Sequence, residues 1–223
     1  QLETGTTDQY AAYASGTGND TLIFSYTVAS GDTTADLDYT STSALELNSG
    51  TINDAAGNAT TLTLASPGAT NSLGANKAII IDGNVPTVNS VTSTKTDGSY
   101  KTIGEVIPIT VTFSQLINVT GTPQLTLETG VSDAVVDYTS GTGTAVLTFN
   151  YTVAAGHTNY DLDYVSTSAL SLNSGTIKDA SGNAATLTLA TPGEANSLGA
   201  NKAIIVDTVI PTFTFAPESG STD

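Results

Sequence analysis

Residues 145–153 read Ala-Val-Leu-Thr-Phe-Asn-Tyr-Thr-Val, so Leu147, Phe149, Tyr151 and Val153 fall on one side and Thr148, Asn150 and Thr152 on the other. A period of two is that of a strand with one face on a core and one in water. Residues 21–28 repeat the pattern, and 106–113 (Val-Ile-Pro-Ile-Thr-Val-Thr-Phe) follow a similar one. Short apolar runs at 77–81 and 202–206 read as closing strands. Between the runs stand turn formers: Ser15-Gly16-Thr17-Gly18 and Ser140-Gly141-Thr142-Gly143 are expected hairpin turns. No segment sustains a helical period. Strands are expected at 88–92, 106–113, 124–128, 134–138, 145–153, 162–165 and 203–207. A long segment at 166–201 has room for an extra hairpin. Short strands and frequent turns over roughly a hundred residues predict an all-β antiparallel sandwich.

The chain also repeats itself. Residues 2–86 align on 127–211 without a gap at an offset of 125, and 57 of the 85 positions are identical. Residues 87–126 precede the second copy and have no counterpart ahead of the first. The expected organisation is a partial repeat at 1–84 lacking its first strands, a complete repeat at 85–210, and the start of a third module at 211–223. A module of ~125 residues can bury its own core. Duplication builds length or presents one surface several times. A catalyst needs one asymmetric constellation, so an enzyme is not expected.

Composition narrows the partners. Five lysines face 21 acidic residues, for a net charge of -16, and there is no Arg, Cys, Met or Trp. A chain this acidic lacks the cationic footprint that nucleic acid or an anionic membrane demands. No apolar run is long enough for a membrane-spanning helix. The acidity admits two readings, solubility through mutual repulsion or the binding of a divalent cation. His157, the single histidine, aligns with Asp32 of the first copy, which argues against a catalytic base. Gly16-Thr17-Gly18-Asn19-Asp20-Thr21-Leu22 has the outline of a calcium-binding nonapeptide, but its copy lacks the aspartate, and it reads as a hairpin turn.

Gly104-Glu105-Val106-Ile107 leads into Ile-Thr-Val-Thr-Phe-Ser at 109–114. Gly-Thr-Pro-Gln-Leu-Thr-Leu follows at 121–127, Asp-Ala-Ser-Gly-Asn at 179–183, and Ile-Ile-Val-Asp at 204–207 ahead of Pro211. Together these runs resemble the bacterial immunoglobulin-like (cadherin-like) tandem repeats of large surface proteins and adhesins, over essentially the whole chain. The resemblance implies an extracellular, bacterial cell-surface location and a structural or adhesive stalk. Its partners would be neighbouring repeats, and possible further ligands are a host or surface molecule or a glycan. The chief alternative is a glycan-binding module that uses the loops of one sandwich tip. Gln115 departs from the pattern, which would have an acidic residue after Phe-Ser.

The sharpest acidic motif is Asp36-Leu37-Asp38-Tyr39, repeated as Asp161-Leu162-Asp163-Tyr164. Residues two apart in an extended segment point the same way. The two carboxylates would then sit side by side and repel, unless a cation lies between them. Oxygen ligands without Cys or His suit calcium; the plain alternative is two solvated loop aspartates. In an immunoglobulin-like labelling one tip gathers Glu105, Asp133, Asp161, Asp163 and Asp207, and in the first copy Asp8, Asp36, Asp38 and Asp82. The opposite tip of the next module would bring Asp179 and Asn183 to Asp36, Asp38 and Asp82, as at the interdomain calcium sites of cadherin-like arrays. The competing reading of 179–183 is a turn in which glycine supplies positive φ and Asp and Asn bond local backbone.

Overall fold

The computed structural model describes residues 1–213. The chain divides into two units, Gln1–Val85 and Pro86–Asp223. The architecture is all-β apart from two single-turn helices. Unit 1 holds β1 (Ala12–Ser15), β2 (Ile23–Ser25), β3 (Thr33–Thr34), α1 (Leu73–Asn76) and β4 (Ile81–Asp82). Its pairing amounts to two antiparallel ribbons, β1 with β2 and β3 with β4. Its buried apolar side chains are Leu37, Ala44 and Ile81.

Unit 2 begins with β5 (Val88–Ser93), β6 (Gly98–Tyr100), β7 (Val106–Thr120), β8 (Gln124–Leu127) and β9 (Ala134–Ser140). It continues with β10 (Thr144–Thr152), β11 (Thr158–Asn159), β12 (Leu170–Ser171), β13 (Thr176–Lys178), α2 (Leu198–Asn201) and β14 (Ile204–Asp207). One sheet runs β12-β8-β9-β10-β7-β13, with β5 also on β7; a second runs β11-β14-β6. The expected face is buried: Leu147, Phe149, Tyr151 and Val153 are at most 1% exposed. β7 pairs beside them in the same sheet, Val111 opposite Leu147, Ile109 opposite Phe149 and Ile107 opposite Tyr151. Ile204 and Val206 of the second sheet join the same core. The 141–143 turn is fixed sterically: Gly141 has φ +118°, and a Cβ there would overlap the Val146 carbonyl oxygen.

Several elements depart from the sequence expectation. β7 continues to Thr120, well past residue 113, because its far end pairs with β13. Residues 162–165 form no strand; only the bridge between Leu127 and Tyr164 remains, since Asp163 draws the local backbone into a loop. β6 lies parallel to β14, an exception in an otherwise antiparallel set. Segment 166–201 supplies β12, β13 and α2, and it also carries the expected hairpin, since Lys178 bridges Ala184 antiparallel across the 179–183 turn. The helices span four residues each, too short to leave a period, and are set by Ser72 and Ser197, whose hydroxyls accept from the N–H groups of Ala75 and Ala200. The expected start of a third module falls mainly on 214–223, outside the described residues.

Candidate functional site

Asp163 is 8% exposed, and its backbone neighbours meet both of its carboxylate oxygens. Tyr164 N–H donates to Oδ1 at 2.9 Å, and Gly193 N–H donates to Oδ2 at 2.9 Å. The same loop is closed by Glu128 N–H, which donates to the Asp163 carbonyl at 2.9 Å. Asp38 in unit 1 repeats the scheme, accepting from Tyr39 N–H at 2.9 Å and from Gly68 N–H at 2.9 Å. Burial pushes the Asp38 carboxyl up, but the N–H groups of Gly68, Tyr39 and Gly74 and the Ser72 hydroxyl together hold it below the usual carboxylate range. The residues between and after the aspartates face inward: Leu162 is 0% exposed, and the Tyr164 hydroxyl donates to the Ala190 carbonyl at 2.6 Å.

The partner aspartates do converge. A Cβ on Gly199 would lie 3.0 Å from Asp163 Oδ2 and 3.4 Å from Asp161 Oδ2, and Gly74 stands in the same relation to Asp38 and Asp36. Both carboxylates therefore reach the first turn of α2 (α1 in unit 1), where a Cβ in place of the glycine hydrogen would crowd them. Partial burial first, and then the charge of Asp163, raises the Asp161 carboxyl above its ordinary value. The expected side-by-side pair is thus present, and its inner member is a buried backbone anchor rather than a solvated side chain.

The other candidates sit apart. Glu105 pairs with Lys95 Nζ at 3.1 Å. Asp207 Oδ1 accepts from Val209 N–H at 3.0 Å, and Asp82 Oδ1 from Asn84 N–H at 3.1 Å. Asp133 is exposed. Asp8 has a buried Oδ1 with no hydrogen-bond partner among the described residues. Asp179 and Asn183 close a turn on each other: Asn183 N–H donates to Asp179 Oδ1 at 2.8 Å, and Asn183 Nδ2 to Oδ2 at 2.9 Å. Gly182 at φ +93° makes that turn, and Asp54, Gly57 and Asn58 build its counterpart in unit 1. Gln115 Nε2 reaches Asp179 Oδ2 at 3.4 Å, so the residue that departs from the resemblance is a donor to this carboxylate.

Calcium takes six to eight oxygen ligands. Among the described residues no three acidic or histidine side chains gather where they could hold a metal. The Asp179–Asn183 turn points amide hydrogens at the carboxylate, which suits a bare anion and not a cation. The convergent Asp161–Asp163 pair has the right chemistry, but two carboxylates do not fill a calcium shell.

The exchange of His157 for Asp32 has a structural reason. The Tyr151 hydroxyl lies 2.7 Å from His157 Nδ1, and Ala154 N–H points at the same nitrogen at 3.4 Å. In unit 1 the Tyr26 hydroxyl donates to Asp32 Oδ2 at 2.6 Å, and Ala29 N–H donates to it at 2.7 Å. Either side chain serves as an acceptor for one tyrosine and one turn. Burial first, and then the bond and charge of Asp32, push the Tyr26 hydroxyl up to about 12. The sequence reading missed this acceptor role. It also missed Ser197, Gly193 and Gly199 as the seat of Asp163. The signal was present, since Asn-Ser-Leu-Gly-Ala-Asn-Lys stands unchanged at 71–77 and 196–202.

No family model, curated protein or solved structure matches the chain. No helix among the described residues is long and apolar enough to cross a membrane.

Proposed function

We propose that the chain is a stretch of tandem immunoglobulin-like sandwich repeats from a bacterial surface or secreted protein, serving as a stalk or adhesive segment. One observation carries the reading. The residues best suited to chemistry are spent, in both copies, on holding backbone: Asp38 and Asp163 seat a helical turn, Asp54 and Asp179 close a turn, Asp32 and His157 receive a tyrosine. A module that spends its polar side chains on its own loops is built to keep its shape. Calcium belongs to this reading at the convergent aspartates, where it would relieve their repulsion; further oxygen ligands from backbone or water would complete its shell.

Stretching the full chain between two handles tests the mechanical role. Unit 2 should open in one event that releases about 40 nm, given roughly 3.3–3.6 Å for each extended residue. Gradual extension without a discrete event would contradict a load-bearing module. The same record in millimolar calcium and in chelator tests the ion: a higher opening force with calcium supports it, and identical forces remove it from the account.

A further inference from the structure

β5 is an edge strand. β7 pairs along one side of it, with Val91 opposite Val111 and Thr92 opposite Thr110. Among the described residues no strand pairs along its other side. An open edge is a template for pairing with another chain. Segment 186–201 closes this one at two points. Just ahead of β5, Thr186 N–H donates to the Pro86 carbonyl at 2.8 Å. Within β5, both backbone groups of Val91 are engaged. Its N–H donates to the Asn196 carbonyl at 2.9 Å, and its carbonyl accepts from Asn201 Nδ2 at 2.8 Å. Behind, the segment is fixed to the body: Leu189 N–H donates to the Thr167 carbonyl, and Gly193 N–H to Asp163 Oδ2. Asn196 aims its carbonyl from φ +74°, a left-handed conformation that asparagine adopts more readily than most residues. The same run, Asn-Ser-Leu-Gly-Ala-Asn, forms α1, where Asn76 Nδ2 donates instead to the Ser72 carbonyl at 2.8 Å. The two turns share one cap geometry, φ -73° at Ser72 and -72° at Ser197. The second asparagine therefore has two partners at one backbone geometry, a carbonyl of its own turn and a carbonyl of a strand.

We propose that segment 186–201 is a releasable strap over the outer edge of β5, with Asn201 as its catch. In the closed form Asn201 holds Val91. In the open form its amide turns back to the Ser197 carbonyl, the bond that Asn76 makes to Ser72. One hydrogen bond replaces another, so opening costs chiefly the hydration of Val91. β5 stays on β7, and Asp163 keeps its hold on Gly193, because neither contact involves the asparagine. What changes is the edge: the Val91 N–H and carbonyl become free to pair. Their partner is the β5 of a second copy, since this edge set antiparallel to itself is self-complementary, as a two-fold contact requires. The closed strap prevents that contact, and the charge of -16 on each copy acts in the same direction. The inference concerns an edge within unit 2 and does not depend on the stalk reading.

Amide exchange on the full chain tests the catch. Backbone groups alternate along a paired strand, so the amides of residues 90 and 92 face β7 while that of Val91 faces the strap. Val91 should exchange faster than 90 and 92, and with little dependence on urea, because the opening exposes little surface. Asn201→Asp keeps the shape of the side chain and removes the donor. It should speed Val91 exchange about tenfold, as for a buried carbonyl that loses its partner. In salt high enough to screen the charge, the concentrated variant should associate, and Val91 should become slow again. Three results would each overturn the proposal. Val91 that matches 90 and 92 in rate and urea dependence has no open form of its own. An unchanged Val91 rate in the variant removes Asn201 as the catch. A variant that stays monomeric, or associates without renewed protection at Val91, shows that the strap guards no such contact.

Discussion

Phe24 and Val28 of unit 1 and Phe149 and Val153 of unit 2 occupy the same places in the repeat. Phe24 is 40% exposed and Val28 46%; Phe149 is 0% and Val153 1%. The difference lies in what stands beside the strand, since its own pattern is the same. In the second copy β7 pairs along the strand and β5 extends the sheet beyond it, and among the described residues nothing plays that part for the first. Asp38 and Asp163 behave otherwise, at 9% and 8% exposed, with the same two N–H donors each. Turns, caps, the short helices and the aspartate anchors form in both units because their partners lie within the repeated segment itself. The sheet core forms only where distant strands arrive.

The comparison can be broken at its largest effect by truncating the shared phenylalanine. Phe149→Ala should lower the stability of unit 2 by about 3–5 kcal/mol, through lost burial and a cavity. Phe24→Ala should change unit 1 by less than about 1 kcal/mol, as for exposed positions. Urea unfolding followed by amide signals from each unit measures both, and equal losses would refute the contrast. The aspartate anchors make the opposite prediction. Asp163→Ala removes the acceptor of Tyr164 N–H and one of the two acceptors of Gly193 N–H, and Asp38→Ala removes the acceptor of Tyr39 and Gly68 N–H, so each should destabilise its own unit by about 1–3 kcal/mol. A loss that spreads equally to the other unit, or no loss in the variant's own unit, would contradict a local anchor.

The two acceptors for tyrosine separate the units by pH. Burial holds His157 below its ordinary 6.5, and the neutral ring is the form that accepts from Tyr151 and Ala154. A depressed folded value means that its contribution is complete above the unfolded pKa and is lost as pH falls through the folded one. Asp32 is also depressed, by the Tyr26 hydroxyl and then by Ala29 N–H, so its contribution lasts down into the carboxylate range. Unit 2 should therefore weaken as pH falls below about 6.5 and through the depressed folded value, before unit 1 does. His157→Asp should remove that phase from melting curves taken across pH, and an unchanged curve would contradict the assignment. The smallest effect is at Asp161, whose raised value reflects burial and repulsion from Asp163. Asp161→Asn should stabilise unit 2 at pH 7 by a few tenths of a kcal/mol, given solvent screening. The gain should vanish below about pH 4, where the carboxyl is protonated anyway.

Much of this was legible from the sequence. Alternation at 145–153 gave the strand and the buried face, and Gly141 and Gly143 gave the turn. The strand expected at 162–165 shrinks to a single bridge, because alternation alone does not show that the Asp163 side chain will take up Tyr164 and Gly193 N–H. Parallel pairing of β6 with β14 joins residues a hundred apart, and no local pattern encodes it. At the candidate site the convergence of Asp161 and Asp163 follows from their spacing. Their use as anchors depends on Gly193, Ser197 and Gly199, some thirty residues on, brought back by the loop.

Amide hydrogen exchange on the full chain, in a sample that sedimentation shows to be monomeric, tests the contrast between the units most directly. Exchange tracks the free energy of opening. Amides at 147–153 should exchange at least about a hundredfold more slowly than those at 22–28, while Tyr39 and Tyr164, beside their aspartates, should be protected in both units. Equal protection of 22–28 and 147–153 would contradict the claim that β7 and β5 decide the fate of the shared strand.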